Sequence, residues 1–495
     1  MNIPLLNIAT LGLLAGCAVG PNFKPPAPPP NAAFAPAGAL AAATVTPPGA
    51  AAQRFVEGMD IPGQWWTLFQ SAELNALIER ALRNNPSLQA AQAALVQANE
   101  TVAAQRGSFY PGVTGKLGVQ RQKTSAASFG LGRSGSVLYT LNNANVNVSY
   151  TLDAFGGIRR QVEALQAQAD YEKFALEASY LSLTANIVTA VVAEASLRAQ
   201  IHAAEDIAAS QRQQLDITQR RLGSGGASRA DVLQQQATLQ STLAGLPPLR
   251  SQLAQERNLL AGYLGSLPSD DIGAEFHLDS LTLPADLPVT LPSKFVEQRP
   301  DVREYSALLH QATAQIGVAT ANLLPQITLS GAYGGEAPRF ADVFSPASVV
   351  WNLAAGLTQP IFKGGQLVHQ RRAAVAAAEQ AAANYRATVI TAFQNVSDTL
   401  YALTADAEAL AAQTSAEGAA AESLGLVESQ FKSGAVNYLQ VLTAEQTYQT
   451  AALALVKARA QRYADTAALF QALGGGWWNR TEPRAKSLTP AREAP

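Results

Sequence analysis

The chain has 495 residues, only 15% of them charged, and a formal net charge of -2, so it carries no field that would gather nucleic acid. Its four histidines, His202, His277, His310 and His369, stand apart in sequence, and its single cysteine excludes an internal disulfide. No metal site, no nucleic-acid partner and no disulfide scaffold is expected.

The first segment is an apolar run that closes on Leu14-Ala15-Gly16 before Cys17. Apolar residues, then small residues, then cysteine resemble the lipobox of a bacterial lipoprotein signal peptide. The resemblance implies removal of residues 1–16 and acylation of Cys17, so the only non-protein group expected is that covalent lipid; no cofactor is expected. Residues 1–16 contain no Lys or Arg, a departure from the usual positive start, and Ala18 after the cysteine implies sorting to the outer membrane. Residues 17–60, rich in Pro and Ala, read as an extended tether, with structure beginning near Ile61-Pro62-Gly63-Gln64-Trp65-Trp66.

From there the chain is written twice. Pro86 and Pro111 bracket a helical stretch, and Pro300 and Pro325 bracket another of the same length. The leading prolines suit a first helical turn, and the trailing ones end the helix as the chain enters a strand. Each second proline opens an alternating region that ends at a glycine pair, Gly156-Gly157 or, after Pro360, Gly364-Gly365. Residues 61–270 form the first repeat, with strands at about 112–122 and 137–152 and a long helix at about 155–222. Residues 271–478 form the second, with strands at about 326–334 and 348–360 and a long helix at about 366–432. Residues 479–495, with three prolines, read as a disordered tail.

The four strand segments alternate with period two. Val113, Gly115, Leu117 and Val119 oppose Thr114, Lys116 and Gln120. Val146, Val148, Tyr150 and Leu152 oppose Asn145, Asn147, Ser149 and Thr151. The second repeat matches, with Ile327, Leu329 and Tyr333 against Thr328 and Ser330, and Trp351, Leu353, Ala355 and Leu357 against Asn352 and Thr358. Their lengths suit tilted barrel strands, with lipid on one face and water on the other. A soluble antiparallel sandwich alternates in the same way and stays open at this point. Four strands do not close a barrel, and an open edge cannot face lipid, so a membrane reading requires several copies. Gly/Ser-rich loops, Gln122 to Ser136 and Gly334 to Ser348, suit the outer surface.

Between Ile158 and Leu222 there is neither Pro nor Gly. As one helix that stretch would run roughly 100 Å. Leu176, Tyr180, Leu183, Ile187, Ala190, Leu197 and Ile201 form a coiled-coil seam along it, interrupted at Glu194. The uncharged run Ala178 to Ala193 carries Ser179, Ser182, Thr184, Asn186 and Thr189, so it reads as coiled-coil core rather than a membrane helix. Pro247-Pro248 is expected to kink or split the return helix. Trp65-Trp66 and Trp477-Trp478 read as packing residues of a collar. Gly223-Ser224-Gly225-Gly226 has no lysine and follows no strand, so it is a turn and not a phosphate loop.

Several ordered motifs then carry a family resemblance. Cys17-Ala18-Val19-Gly20-Pro21-Asn22-Phe23-Lys24-Pro25-Pro26, Asp153-Ala154-Phe155-Gly156-Gly157, Glu297-Gln298-Arg299-Pro300-Asp301-Val302-Arg303, Ala314-Gln315-Ile316-Gly317-Val318-Ala319, Leu324-Pro325-Gln326-Ile327 and Gln359-Pro360-Ile361-Phe362-Lys363-Gly364-Gly365 resemble TolC-like outer-membrane efflux lipoproteins of the NodT/OprM type. The resemblance implies a membrane α+β fold: a homotrimer in which four strands per protomer build a twelve-stranded outer-membrane barrel continued by a periplasmic α-helical barrel. It implies no enzymatic activity, but a passive exit duct of a tripartite pump. The partners would be a periplasmic adaptor, an inner-membrane RND transporter and outer-membrane lipid. Adaptor docking would fall on the helical tips, at Gly225, Ser228, Arg229, Asp231, Gly434, Asn437 and Tyr438. Gate candidates are Asp231, Gln440, Thr443 and Glu445; Gln440 and Thr443 stand where the family commonly has Asp. An equal alternative for Asp231 is stabilisation of its own helix start. Pro111, Gly156, Gly157, Pro325, Pro360, Gly364 and Gly365 mark the strand–helix junctions. A non-conducting coiled-coil scaffold would explain the helices but not the four alternating segments.

Overall fold

The computed structural model describes residues 18–27, 33–34, 53–125, 136–270, 272–289 and 292–480. Cys17, the signal segment 1–16, much of the tether and residues 481–495 lie outside the described residues. In chain order the elements are β1 (Arg54–Glu57), α1 (Ala72–Asn84), α2 (Pro86–Arg106), β2 (Gly112–Ser125), β3 (Ser136–Leu152), α3 (Gly157–Gly223), α4 (Arg229–Tyr263), β4 (Asp286–Val289), α5 (Pro292–Gln298), α6 (Pro300–Ala321), β5 (Gln326–Ala337), β6 (Val349–Thr358), α7 (Gln366–Lys432) and α8 (Tyr438–Ala472). Two units divide them.

The first unit, Met1–Pro26, Ala94–Lys173 and Glu304–Arg386, holds an antiparallel sheet in the order β2-β3-β5-β6. The register puts Val113 beside Val148, Val146 beside Tyr333 and Tyr333 beside Trp351, so one face is continuous and apolar. Leu117 (71% exposed), Trp351 (70%) and Leu353 (81%) stand open on that face. The other face carries Thr114, Asn145, Asn147, Ser149, Thr328, Ser330 and Asn352. Two loop expectations need correction. Gln122 to Ser125 continue β2 against Tyr139 to Ser136, and Gly334 to Ala337 continue β5 against Asn145 to Asn142. Backbone pairing there holds residues whose composition alone reads as loop.

The junctions are made by local hydrogen bonds. Asp153 accepts from the amides of Ile158 and Arg159 at 2.9 and 3.1 Å, satisfying free donors at the start of α3. In the first glycine pair only Gly156 takes a positive φ, of 77°, whereas Gly364 and Gly365 both do, at 57° and 84°. Pro111 and Pro325 directly precede β2 and β5, and Pro360 follows β6 by two residues. Pro86 and Pro300 are the first residues of α2 and α6.

The second unit, Ala27–Ala93, Phe174–Arg303 and Ala387–Pro495, is built on helices around an aromatic core. Trp65, 1% exposed, stacks on Phe470 at 5.3 Å and meets Trp66 and Phe69 edge-on. Trp477 donates its indole N–H to the Gln298 carbonyl at 2.6 Å. Replacing Trp65 with Ala empties the centre of that cluster and is expected to cost about 3–5 kcal/mol, read as a lower urea midpoint of the helical signal.

Three further expectations change here. Tether residues Arg54–Glu57 form β1, which pairs in parallel with β4, and Arg54 salt-bridges Asp286 at 2.5 Å. Residues 479 and 480, expected in the tail, are ordered instead: Asn479 donates to Asp60 at 2.8 Å and Arg480 to Glu177 at 2.7 Å. Helix α4 is not split at Pro247-Pro248. Gly245, Pro247 and Pro248 are exposed while Leu246 is buried, so the interrupted bonds lie on the solvent side, where water can take up the freed carbonyls.

Glu194, the break in the seam, is fully buried and clamped by Arg198 at 3.0 Å and Arg257 at 2.9 Å. Among the described residues, α3 is the one helix long and apolar enough to cross a membrane. Leu183, Ala185, Ile187, Val188, Val191 and Val192 within it are buried against protein.

Candidate functional site

The two helical tips, α3–α4 and α7–α8, both lie in the second unit. They are the same turn made twice. Gly226 donates to the Arg221 carbonyl at 2.7 Å and Ala435 to the Gln430 carbonyl at 2.8 Å, the long closing bond of a Schellman turn. Gly225 and Gly434 take the left-handed conformation the turn requires, with φ of 80° and 79°. Ser228 and Asn437 then cap the following helices.

The caps differ in one respect. Asp231 and Ser228 close a reciprocal capping box, each side chain accepting from the other's amide, at 2.8 and 3.1 Å. Gln440, the matching residue, donates its amide to Asn437 Oδ1 at 3.3 Å and to the Asn437 carbonyl at 3.2 Å, and α8 starts without a capping box. Asp231 therefore has a structural task at its helix start. Ser228→Ala is expected to loosen the first turn of α4 by about 1 kcal/mol, read as roughly fivefold faster tryptic cleavage at Arg229.

The other expected tip residues separate by helix face. Gln440 and Thr443 are exposed, with Arg229 exposed on the first tip. Tyr438 and Glu445 lie on the opposite, packed face of α8. Tyr438 is 7% exposed and packs on Phe431 at 5.5 Å, so it is interior filling and not a surface docking residue. Burial pushes its phenol far above the usual range, with the charges of Glu445 and Asp231 adding to the shift. Glu445 is 6% exposed, so it does not share the open face of Gln440 and Thr443. Desolvation, then the charge of Glu428, pushes its carboxyl up to about 7, against a hydrogen bond from Gln235 that pulls it down. Gln235 itself donates to the Gln211 carbonyl at 3.1 Å.

Sequence reasoning missed the residue that ties the tips together. The guanidinium of Arg221 lies 4.5 Å above the Phe431 ring, joining the first hairpin to the second. The available signal was a mismatch between the repeats: Phe431 stands where the first repeat has Leu222. Among the described residues no group of His, Cys, Asp and Glu is disposed to hold a metal ion.

An amphipathic four-stranded sheet with two pairs of long helices, each returning through a capped tip, defines an outer-membrane channel scaffold. The profile of the family described as outer membrane efflux protein matches residues 77–266 and 291–475, and the chain belongs to that family. It is 32% identical to the pyoverdine export outer membrane protein OpmQ of Pseudomonas aeruginosa, over 84% of this chain and 87% of OpmQ. It is 29% identical to the toluene efflux pump outer membrane protein TtgC of Pseudomonas putida, over 97% of each. The solved outer-membrane channel OprN superposes with a TM-score of 0.83 at 25% identity, covering 93% of this chain and all of that one. The chain is thus an outer-membrane efflux protein, a transport component and not an enzyme.

Proposed function

We propose that three copies of this chain form the exit duct of a tripartite pump, passing drugs or other small toxic solutes passively from an inner-membrane RND transporter and its periplasmic adaptor to the outside. The observation that carries this reading is the sheet. Its apolar face is open, while among the described residues its edge strands β2 and β6 each have a neighbour on one side only. Hydrocarbon does not tolerate unpaired backbone groups, so the edges have to be closed by further copies. Three four-stranded sheets make a twelve-stranded barrel, an even number wide enough for a water-filled lumen. Cys17 carries the lipid that holds the protomer to the membrane. The tips form the gate: Arg221 on Phe431 holds the two hairpins of one protomer together, and Gln440 and Thr443 present the uncharged polar face that narrows the pore. Arg229, Ser228 and Asn437 lie where an adaptor would dock.

The test is the mass of the detergent-extracted complex together with its strand content. Three chains per complex support the duct. A stable single chain in membrane-inserted form would overturn it.

A further inference from the structure

The segment Ala18-Val19-Gly20-Pro21-Asn22-Phe23 belongs to neither sheet nor tips, yet it sits in a built site within the first unit. Arg160, in the first turns of α3, is only 3% exposed. Its guanidinium donates to the Val19 carbonyl at 3.1 Å, the Gly20 carbonyl at 3.3 Å, Asn22 Oδ1 at 2.6 Å and Glu163 Oε2 at 2.7 Å. The other oxygen of Glu163 meets His310 Nε2 at 3.0 Å, and the His310 ring stacks on Phe23 at 4.4 Å. Val19 also donates its amide to the Phe155 carbonyl at 3.0 Å.

The fit is close at three glycines. A Cβ on Gly20 would lie 2.5 Å from Gly317 Cα, one on Gly156 would lie 2.5 Å from Ala18 Cα, and one on Gly317 would lie 2.7 Å from Arg160 Cγ. Gly20 and Gly156 also need positive φ, of 93° and 77°. A buried guanidinium is costly unless its donors are matched. Three of the four acceptors of Arg160 belong to residues 19–22, so the pocket is complete only with the segment in place.

We propose that this pocket is a receptor for the chain's own lipid-proximal segment, which fixes the acylated Cys17 at the β3–α3 junction so that anchor and sheet enter the membrane together. The proposal rests on the reading of Cys17 as lipidated. Cys17 is one Cα step, about 3.8 Å, from Ala18. Ala18 is held against Gly156, just past the end of β3 at Leu152. Without the clasp, a flexible chain of the length from Cys17 to Phe34, which packs on Phe295 and Phe393, would let the anchor wander by roughly 20–25 Å.

The test compares two full-length variants with wild type for the rate at which newly made chain becomes membrane-inserted and protease-resistant. Gly20→Val breaks the fit and leaves every helix residue unchanged. The other variant inserts about twenty Gly/Ser residues between Cys17 and Ala18, a flexible reach of roughly 25 Å. The insert begins with Ala, so the residue after the cysteine is unchanged, the clasp is kept and the anchor is freed. Both are expected to insert at least tenfold more slowly, and only Gly20→Val exposes residues 18–27 to protease. Asn22→Ala should act in the same direction as Gly20→Val, more weakly. Wild-type insertion by the linker variant would make the clasp mere packing and overturn the proposal, as would wild-type insertion by acylated Gly20→Val. The mass of the N-terminal peptide is read separately: an unacylated wild-type Cys17 would sink the lipid reading itself.

Discussion

Replacing Arg221 with Ala is expected to unlatch the tips. A cation–π contact of this kind contributes about 1 kcal/mol. In a trimer three such contacts act on one opening, so their joint loss of about 3 kcal/mol shifts the closed-to-open ratio by roughly a hundredfold. Arg221→Ala should therefore let a large polar dye, normally excluded, enter cells that express the variant. Phe431→Ala should do the same, and Phe431→Trp, which keeps an aromatic face, should not. Unchanged dye entry in both alanine variants, with assembled protein in the membrane, would remove Arg221 and Phe431 from the gate.

The second large effect is a pH dependence. Glu445 has an ordinary value of 4.5, raised to about 7 by burial and by Glu428. A carboxyl whose folded value is raised binds a proton that the unfolded or separated helix gives up. The packed arrangement is therefore at full strength below about 4.5 and weakens as pH rises through about 7. After allowance for solvent screening the effect is on the order of 2 kcal/mol. Amide exchange across residues 231–240 and 438–447, corrected for the intrinsic pH dependence, should thus lose roughly thirtyfold protection between about pH 5 and pH 8. In Glu445→Gln the protection should be flat across that range. A flat wild-type profile, or an equal loss in the glutamine variant, would contradict the assignment.

The backbone plan was legible because its signals are local. Paired prolines mark where an amide is dispensable, glycine pairs mark the junctions, and period-two alternation marks strands whose two faces meet different surroundings. What depended on tertiary pairing was not legible. Gly334 to Ala337 read as loop until Asn145 to Asn142 pair with them. Pro247-Pro248 reads as a break until the solvent-facing side of α4 absorbs it. The tips were located correctly as turns by Gly225 and Gly434, but the helix faces were not resolved. Tyr438 and Glu445 lie on the packed side of α8, and Arg221 meets Phe431 only because two distant hairpins lie together. Glu194, read as an interruption, is a charge held by two arginines, one of them from another helix.

The most direct test of the account is the single-channel conductance of the purified, lipid-reconstituted protein, wild type beside Arg221→Ala. A small wild-type step that rises severalfold in the variant is the predicted result. An inserted, trimeric preparation in which neither protein conducts would contradict the duct and leave a lipid-anchored helical scaffold in its place.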